Sequence, residues 1–417
     1  MISEFHYCGS ALYCEKVPLS RIAQIYGTPC YVYSRKAIES NWRAYDEAFM
    51  GHPHLLCYAV KANANLGVLN LLSRLGSGFD IVSVGELERV LHAGGGPSKI
   101  VFSGVGKRED EMQRALEVGI RCFNVESEPE LLRLDRVARS LGETAPVAVR
   151  INPDVDANTH PYIATGLKEN KFGVAMDVAH KLYHTASRMP ALSIVGVACH
   201  IGSQLLSISP LLEALGHLLT LARELRTEGI SIRHLDLGGG LGIQYQDEQP
   251  PSPSEYVEAI LDLIPEHDFE IVLAPGRSIV GPAGILLTRV EFIKKSVAKS
   301  FAIVDAAMTE LLRPALYDAW QPIVPVLLRQ QGTASRYDVV GPVCESGDFL
   351  GKDRSLNVHA GDLLAVQAAG AYGFCLSANY NARPRPPELI IDGETVHTVR
   401  ARERLVDLWR GETLVPL

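Results

Sequence analysis

Lys61 ends the apolar run Leu55-Leu-Cys-Tyr-Ala-Val60, so its amine meets less water than one on an open surface. Partial desolvation disfavours the ammonium and makes the amine a nucleophile toward an aldehyde. A solvated lysine on a rim has the same local sequence, so the residue gains meaning only in company. Gly238-Gly239-Gly240 closes another apolar run and offers bare backbone N–H groups that an anion can approach closely, as a simple turn also would. Arg277, in Pro275-Gly276-Arg277, adds a permanent positive charge after a third run, and His200 offers a flat ring shortly before Ser203.

These residues recur at one structural place. Short apolar runs that stop abruptly at a polar residue or glycine end at Lys61, Ser83, Gly104, Glu126, Asn152, Ser203, Gly240 and Arg277. Helical stretches lie between them, among them Ser127–Leu141 with a Ser-x-x-Glu capping box and Pro210–Thr227 with leucines at helical spacing. Eight alternations of buried strand and helix predict an α/β fold, a (β/α)8 barrel over residues 30–282, whose chemistry gathers at the C-terminal ends of its strands. There stand Lys61, Asp80, Ser103, Arg150, His200, Ser203, Gly238 to Gly240 and Arg277. A phosphate cradle, a ring platform and a nucleophilic lysine in one barrel mouth describe a pocket for pyridoxal 5'-phosphate. After Gly281-Pro282 the pattern turns to strands without long helices, which predicts a β-rich domain over 283–417, joined by residues 1–29.

Composition narrows the partners. The formal net charge is −8 and no basic run exceeds Lys294-Lys295, which disfavours nucleic acid. Neither a signal-peptide pattern nor a window of ~20 apolar residues appears, so a cytoplasmic protein with no membrane partner is expected. The eight cysteines include no Cys-x-x-Cys pair, so reduced thiols are expected and no metal site.

Motifs in Tyr58-Ala-Val-Lys-Ala-Asn63, Phe102-Ser-Gly-Val-Gly-Lys107, His200-Ile-Gly-Ser-Gln204, Asp236-Leu-Gly-Gly-Gly240 and Pro275-Gly-Arg277 resemble those of the diaminopimelate decarboxylase family. So do Arg313-Pro-Ala-Leu-Tyr317, Gly341-Pro-Val-Cys-Glu-Ser346, Gly370-Ala-Tyr-Gly373 and the loop from Thr159-His-Pro-Tyr-Ile163 to Glu169-Asn-Lys-Phe-Gly173. The matches span nearly the whole chain in the expected order. The resemblance implies an alanine-racemase-like barrel with a β domain, converting meso-2,6-diaminopimelate to L-lysine and CO2 in lysine biosynthesis. It implies Lys61 as the lysine that carries the cofactor, His200 stacked on the ring, and Ser203, Gly238, Gly239, Gly240, Gly276 and Arg277 around the phosphate. Cys344 becomes the proton donor, and Tyr372 touches cofactor and substrate. Arg277, Arg313 and Tyr317 clamp the distal carboxylate, with Glu345 on the distal ammonium. The Cys344-Glu345 pair and Tyr372 reach the partner's barrel mouth in relatives, which implies a homodimer with shared active sites.

Two departures stand out. Ala274, before Pro275, occupies the place where the family carries a glutamate that pairs with the pyridine nitrogen, so weakened decarboxylation is expected. Met308-Thr309-Glu310 replaces an expected Asn-Asp near Arg313. Competing readings are a pyridoxal-phosphate decarboxylase of another basic amino acid, a racemase of the same barrel type, and a non-catalytic cofactor carrier. Two arginines suit a distal carboxylate better than the bare distal cation of ornithine.

Overall fold

The computed structural model describes residues 4–156, 170–264 and 268–416. Two compact units emerge. One comprises Glu39–Gln244 and Glu248–Ser278; the other runs up to Ile38, takes in Tyr245–Asp247 and resumes at Ile279.

The first unit is a closed barrel of eight parallel strands: β1 (His54–Ala59), β2 (Gly78–Ile81), β3 (Ile100–Phe102), β4 (Cys122–Val125), β5 (Ala145–Asn152), β6 (Leu192–Cys199), β7 (His234–Asp236) and β8 (Glu270–Leu273). Each strand pairs with the next in sequence, and β8 returns to β1 with Ile271 opposite His54 and Leu273 opposite Leu56. Closure buries both faces, which is why the strands read as continuous apolar runs rather than alternating ones. Leu55, Cys57, Val101, Cys122, Ala148, Ala198 and Val272 pack together in one buried cluster. All but one of the eight runs overshoot their strands, the exception ending with β5 at Asn152. β1 stops at Ala59, and a 3-10 turn, Val60–Ala62, carries Lys61 past the last ladder bond.

The helices begin where their caps direct. Ser127 Oγ accepts the Glu130 N–H at 3.3 Å and starts the helix Glu128–Leu141. The reciprocal half of the expected capping box is missing, because the Glu130 carboxylate is drawn to the Lys107 ammonium at 2.7 Å and the Glu126 N–H at 2.9 Å. A buried charge pair outcompetes a neutral N–H for that carboxylate.

In the second unit a mixed sheet runs in the order Phe349–Leu356, Ser335–Val340, Ser300–Val304, Gly284–Lys295, Cys30–Ser34, Glu388–Asp392 and Thr395–Arg400. Cys30–Ser34, which falls inside the range 30–282 expected for the barrel, is fully buried in this sheet, antiparallel to Gly284–Lys295 and parallel to Glu388–Asp392. Phe5–Cys8, Ala11–Cys14 and Val17–Pro18 form a separate three-stranded sheet. Its Leu12, Cys14 and Val17 pack with Val32, Ile285, Leu287 and Leu389. Among the described residues no helix is long and apolar enough to cross a membrane.

Candidate active site

At the C-terminal ends of the barrel strands, Lys61 Nζ donates to Asp80 Oδ2 at 2.7 Å. The lysine side chain is 38 % exposed and the aspartate 7 %, so the amine faces the opening while its counter-ion lies below. Ser103 Oγ donates to the other oxygen of Asp80 at 2.6 Å. Burial raises the Asp80 pKa, but the Lys61 ammonium and these hydrogen bonds outweigh it and hold the carboxyl below its ordinary value. Sequence reasoning expected a partly desolvated amine. The geometry adds an ion pair with Asp80.

Further polar groups lie under the mouth. Asn124 Nδ2 donates to Asp236 Oδ2 at 2.7 Å, and the Gly238 N–H donates to Asp236 Oδ1 at 2.8 Å. Burial pushes Asp236 up to about 6. Arg150 Nη1 donates to Glu126 at 3.0 Å, whose two oxygens also accept the N–H groups of Gly104 and Gly173 at 2.9 and 3.0 Å. Glu86 accepts the Val82 N–H at 2.7 Å, and burial raises its carboxyl to about 7 despite the nearby Lys61 charge. Asn124, Glu126 and Glu86 were missed as site residues. The Glu at the third residue of the helix after β2 was the one available signal.

His200 lies against the glycine loop, with the Gly239 N–H donating to its Nδ1 at 3.2 Å. That bond assigns any single ring proton to Nε2. Desolvation, then the Arg150 and Lys61 charges, depress the imidazole to about 3. The ring is therefore neutral at physiological pH. Nitrogen-15 NMR of the cofactor-free chain is expected to show His200 as the Nε2–H tautomer from pH 8 to pH 5, roughly an ordinary histidine's full titration range. A titration centred near the ordinary value would contradict this arrangement.

The glycines form a cradle that no side chain can enter. A Cβ on Gly238 (φ +64°) would lie 2.7 Å from His200 Nδ1, one on Gly239 would collide with the Ala274 carbonyl, and one on Gly240 with Leu205. Gly276 is equally confined, since a Cβ there would meet those of Ala62 and Ala59 at 2.9 and 3.0 Å. Buried Arg277 directs Nε and Nη2 to Ser203 Oγ at 3.3 and 3.0 Å. Because the serine oxygen accepts both, its own hydrogen is left to donate elsewhere. Bare backbone, a hydroxyl and a guanidinium fit a phosphate, and the imidazole and lysine fit the ring and its aldehyde. The residues present thus suit pyridoxal phosphate.

In the second unit Arg313 opens the short helix Arg313–Tyr317 and is buried, its guanidinium 5.1 Å from the Tyr245 ring centre and 5.9 Å from that of Tyr317. A surface salt bridge, the plainer reading of this arginine, does not describe it. Cys344 and Glu345 are exposed, with Cys344 Sγ 3.7 Å from Asn381 Oδ1 and Glu345 accepting the Tyr380 hydroxyl at 2.5 Å. Asp348, another residue missed from sequence, pins their loop by accepting the N–H groups of Val343 and Met308 at 2.7 and 2.6 Å. Tyr372 adopts φ +54°, a left-handed conformation that a bulky residue holds only when its surroundings impose it. Glu310 of the divergent Met308-Thr309-Glu310 is buried and accepts the Ala307 N–H at 2.7 Å, so its carboxylate serves the local turn. Thr159-His-Pro-Tyr-Ile163 and Glu169 lie outside the described residues.

Lysine, imidazole and phosphate cradle together define a pyridoxal-phosphate enzyme on a (β/α)8 barrel. The family described as pyridoxal-dependent decarboxylase, pyridoxal binding domain, matches residues 35–281. Diaminopimelate decarboxylase of Vibrio cholerae is 59 % identical over 406 residues, covering 97 % of both chains. That of Pseudomonas aeruginosa is 60 % identical over 412 residues, covering 99 % of both. The crystal structure of diaminopimelate decarboxylase from Helicobacter pylori complexed with L-lysine superposes with a TM-score of 0.91 at 44 % identity, over 94 % of this chain and 98 % of that one. The chain belongs to the pyridoxal-dependent decarboxylases and, within them, to the diaminopimelate decarboxylase family.

Proposed function

We propose that this enzyme removes CO2 from meso-2,6-diaminopimelate to yield L-lysine, working as a cytoplasmic homodimer with shared active sites. The observation that carries the substrate assignment is buried Arg313, in a chain matched over nearly its full length by diaminopimelate decarboxylases. A buried guanidinium between two tyrosine rings suits a carboxylate at the far end of the substrate. The L-lysine held by the Helicobacter pylori neighbour is the product this reaction would give.

When bound, pyridoxal phosphate supplies a conjugated ring that accepts the electron pair left by the departing carboxylate. Lys61 would hold the cofactor through its aldehyde, and Asp80, 2.7 Å from Nζ, would balance the charge of the amine whenever it is protonated. His200 supports the ring as a neutral platform. Ser203, Gly238, Gly239, Gly240, Gly276 and Arg277 anchor the phosphate. Arg277, Arg313 and Tyr317 hold the distal carboxylate, Glu345 the distal ammonium, and Tyr372 contacts cofactor and substrate. Cys344 returns a proton to the carbon that lost CO2; its exposure on one chain supports service to the partner's site. Ala274, buried after β8 beside Pro275, brings no charge to the pyridine nitrogen. Asp80, Asp236 and Glu126 are committed to the hydrogen bonds described above, which supports an unassisted ring and slowed decarboxylation.

Arg313→Ala tests the clamp. Losing a charge-assisted bond to a buried carboxylate costs about 1.5–3 kcal/mol, so turnover of diaminopimelate is expected to fall at least roughly tenfold at ~1.4 kcal/mol per decade. Unchanged turnover would make Arg313 a structural residue. Release of CO2 separates the decarboxylase from a racemase, which would return the substrate with one centre inverted.

A further inference from the structure

His180 and His184 stand four residues apart on the helix Met176–Ala186, a spacing that puts both rings on one face. Glu228 closes the next helix, Ser209–Thr227, as its C-terminal cap. Its carboxylate meets both rings: His180 Nε2 lies 3.0 Å from Oε1 and His184 Nε2 lies 2.9 Å from Oε2. All the potential ligand atoms fall within 4.8 Å of one another. The rings meet edge to face, with centroids 4.9 Å apart at 62°. The three side chains are 35–40 % exposed, so a hydrated ion has a direct path in. These helices follow β5 and β6 and run back along the barrel, which sets the C-terminal turn holding His184, together with Glu228, at the end remote from Lys61.

We propose that His180, His184 and Glu228 bind one divalent transition-metal ion of the Zn2+ class, with water completing its shell. Two imidazole nitrogens and one carboxylate oxygen are ligands that Zn2+, Co2+ or Ni2+ accept, whereas Mg2+ and Ca2+ call for oxygen donors. Ligands about 2.1 Å from a tetrahedral ion stand roughly 3.4 Å apart, so the present 2.9–3.0 Å contacts need to open by a few tenths of an ångström. On binding, each ring turns the Nε2 lone pair to the metal and carries its proton on Nδ1; a proton held at Nε2 in the metal-free state passes to Nδ1 or to solvent. No electron transfer is involved. The ion joins consecutive helices on either side of β6 and stabilises the barrel by binding only its folded form.

The test uses the cofactor-loaded enzyme, freed of metal by a chelator and dialysed. Calorimetric titration with ZnCl2 is expected to give one ion per chain at this site, a raised unfolding temperature, and no response to MgCl2. His180→Ala and His184→Ala are each expected to weaken Zn2+ binding at least about tenfold, the lower range seen when even an outer-shell partner of a ligand is removed. Both variants should keep the metal-free decarboxylation rate. Glu228→Gln, which preserves shape, should weaken binding without altering the fold. If the His180→Ala/His184→Ala double variant binds Zn2+ with the parent's stoichiometry and affinity, the ion sits elsewhere and the proposal fails. It fails equally if the parent binds none.

Discussion

Ala274→Glu is expected to raise the turnover number about tenfold to a few hundredfold, the effect of ~1.5–3 kcal/mol gained in the transition state. The gain belongs to the transition state because a carboxylate on the pyridine nitrogen matters most as electrons flow into the ring. Position 274 follows β8 directly, and its N–H donates to the Gly238 carbonyl at 2.7 Å, so its backbone is fixed to the glycine loop. A new side chain there would start from a rigid base. Formate is expected to rescue the parent in part by occupying the vacated space, and to leave the Glu variant unaffected. The measurement is steady-state CO2 release at equal cofactor content, with the melting temperature as a control on packing. If Ala274→Glu leaves turnover unchanged or lowers it in a folded, cofactor-loaded protein, the ring nitrogen is served in another way.

Mixing two inactive proteins is expected to restore activity. Lys61→Ala removes the proposed cofactor-carrying lysine, and Cys344→Ala removes the proposed proton donor. In a twofold dimer with shared sites, a heterodimer of these chains contains one site with both residues intact and one with neither. Random exchange makes half the dimers mixed, so recovery should approach roughly a quarter of the parent rate, against parents near zero. Equilibrating tagged chains, verifying that the mixed species forms and assaying CO2 release by the whole mixture provides the check. No recovery after verified exchange would mean that Lys61 and Cys344 serve one site from one chain.

The barrel was legible because closure buries every strand on both faces, so that apolar runs stand out from amphipathic helices. Strand ends were less so, since residues such as Val60 and Arg277 stay buried after leaving the ladder. Phe349–Leu356 is hard to read as a strand because Lys352, Asp353 and Arg354 interrupt its apolar pattern, although Leu350, Gly351, Arg354 and Leu356 are buried. Lys61, the glycine triplet and Arg277 stand at run ends, and His200 three residues before one, which is why they could be singled out from sequence alone. The groups that tune them could not: Asn124 reaches Asp236 across 112 positions, and Glu126 reaches Arg150 across 24. The same holds for Glu228, 48 residues from His180. Spacing along a chain reveals partners only within one helix or turn; the rest are brought together by barrel closure.

Decarboxylation of meso-diaminopimelate with pyridoxal phosphate can be followed at both products. Incubating the purified, cofactor-loaded protein with meso-diaminopimelate carrying carbon-13 in both carboxyl groups tests it directly. Labelled CO2 and L-lysine in equal amounts, both lost when Lys61 is replaced by alanine, are the predicted result. Epimerised diaminopimelate without CO2, or faster CO2 release from lysine or ornithine than from diaminopimelate, would contradict it.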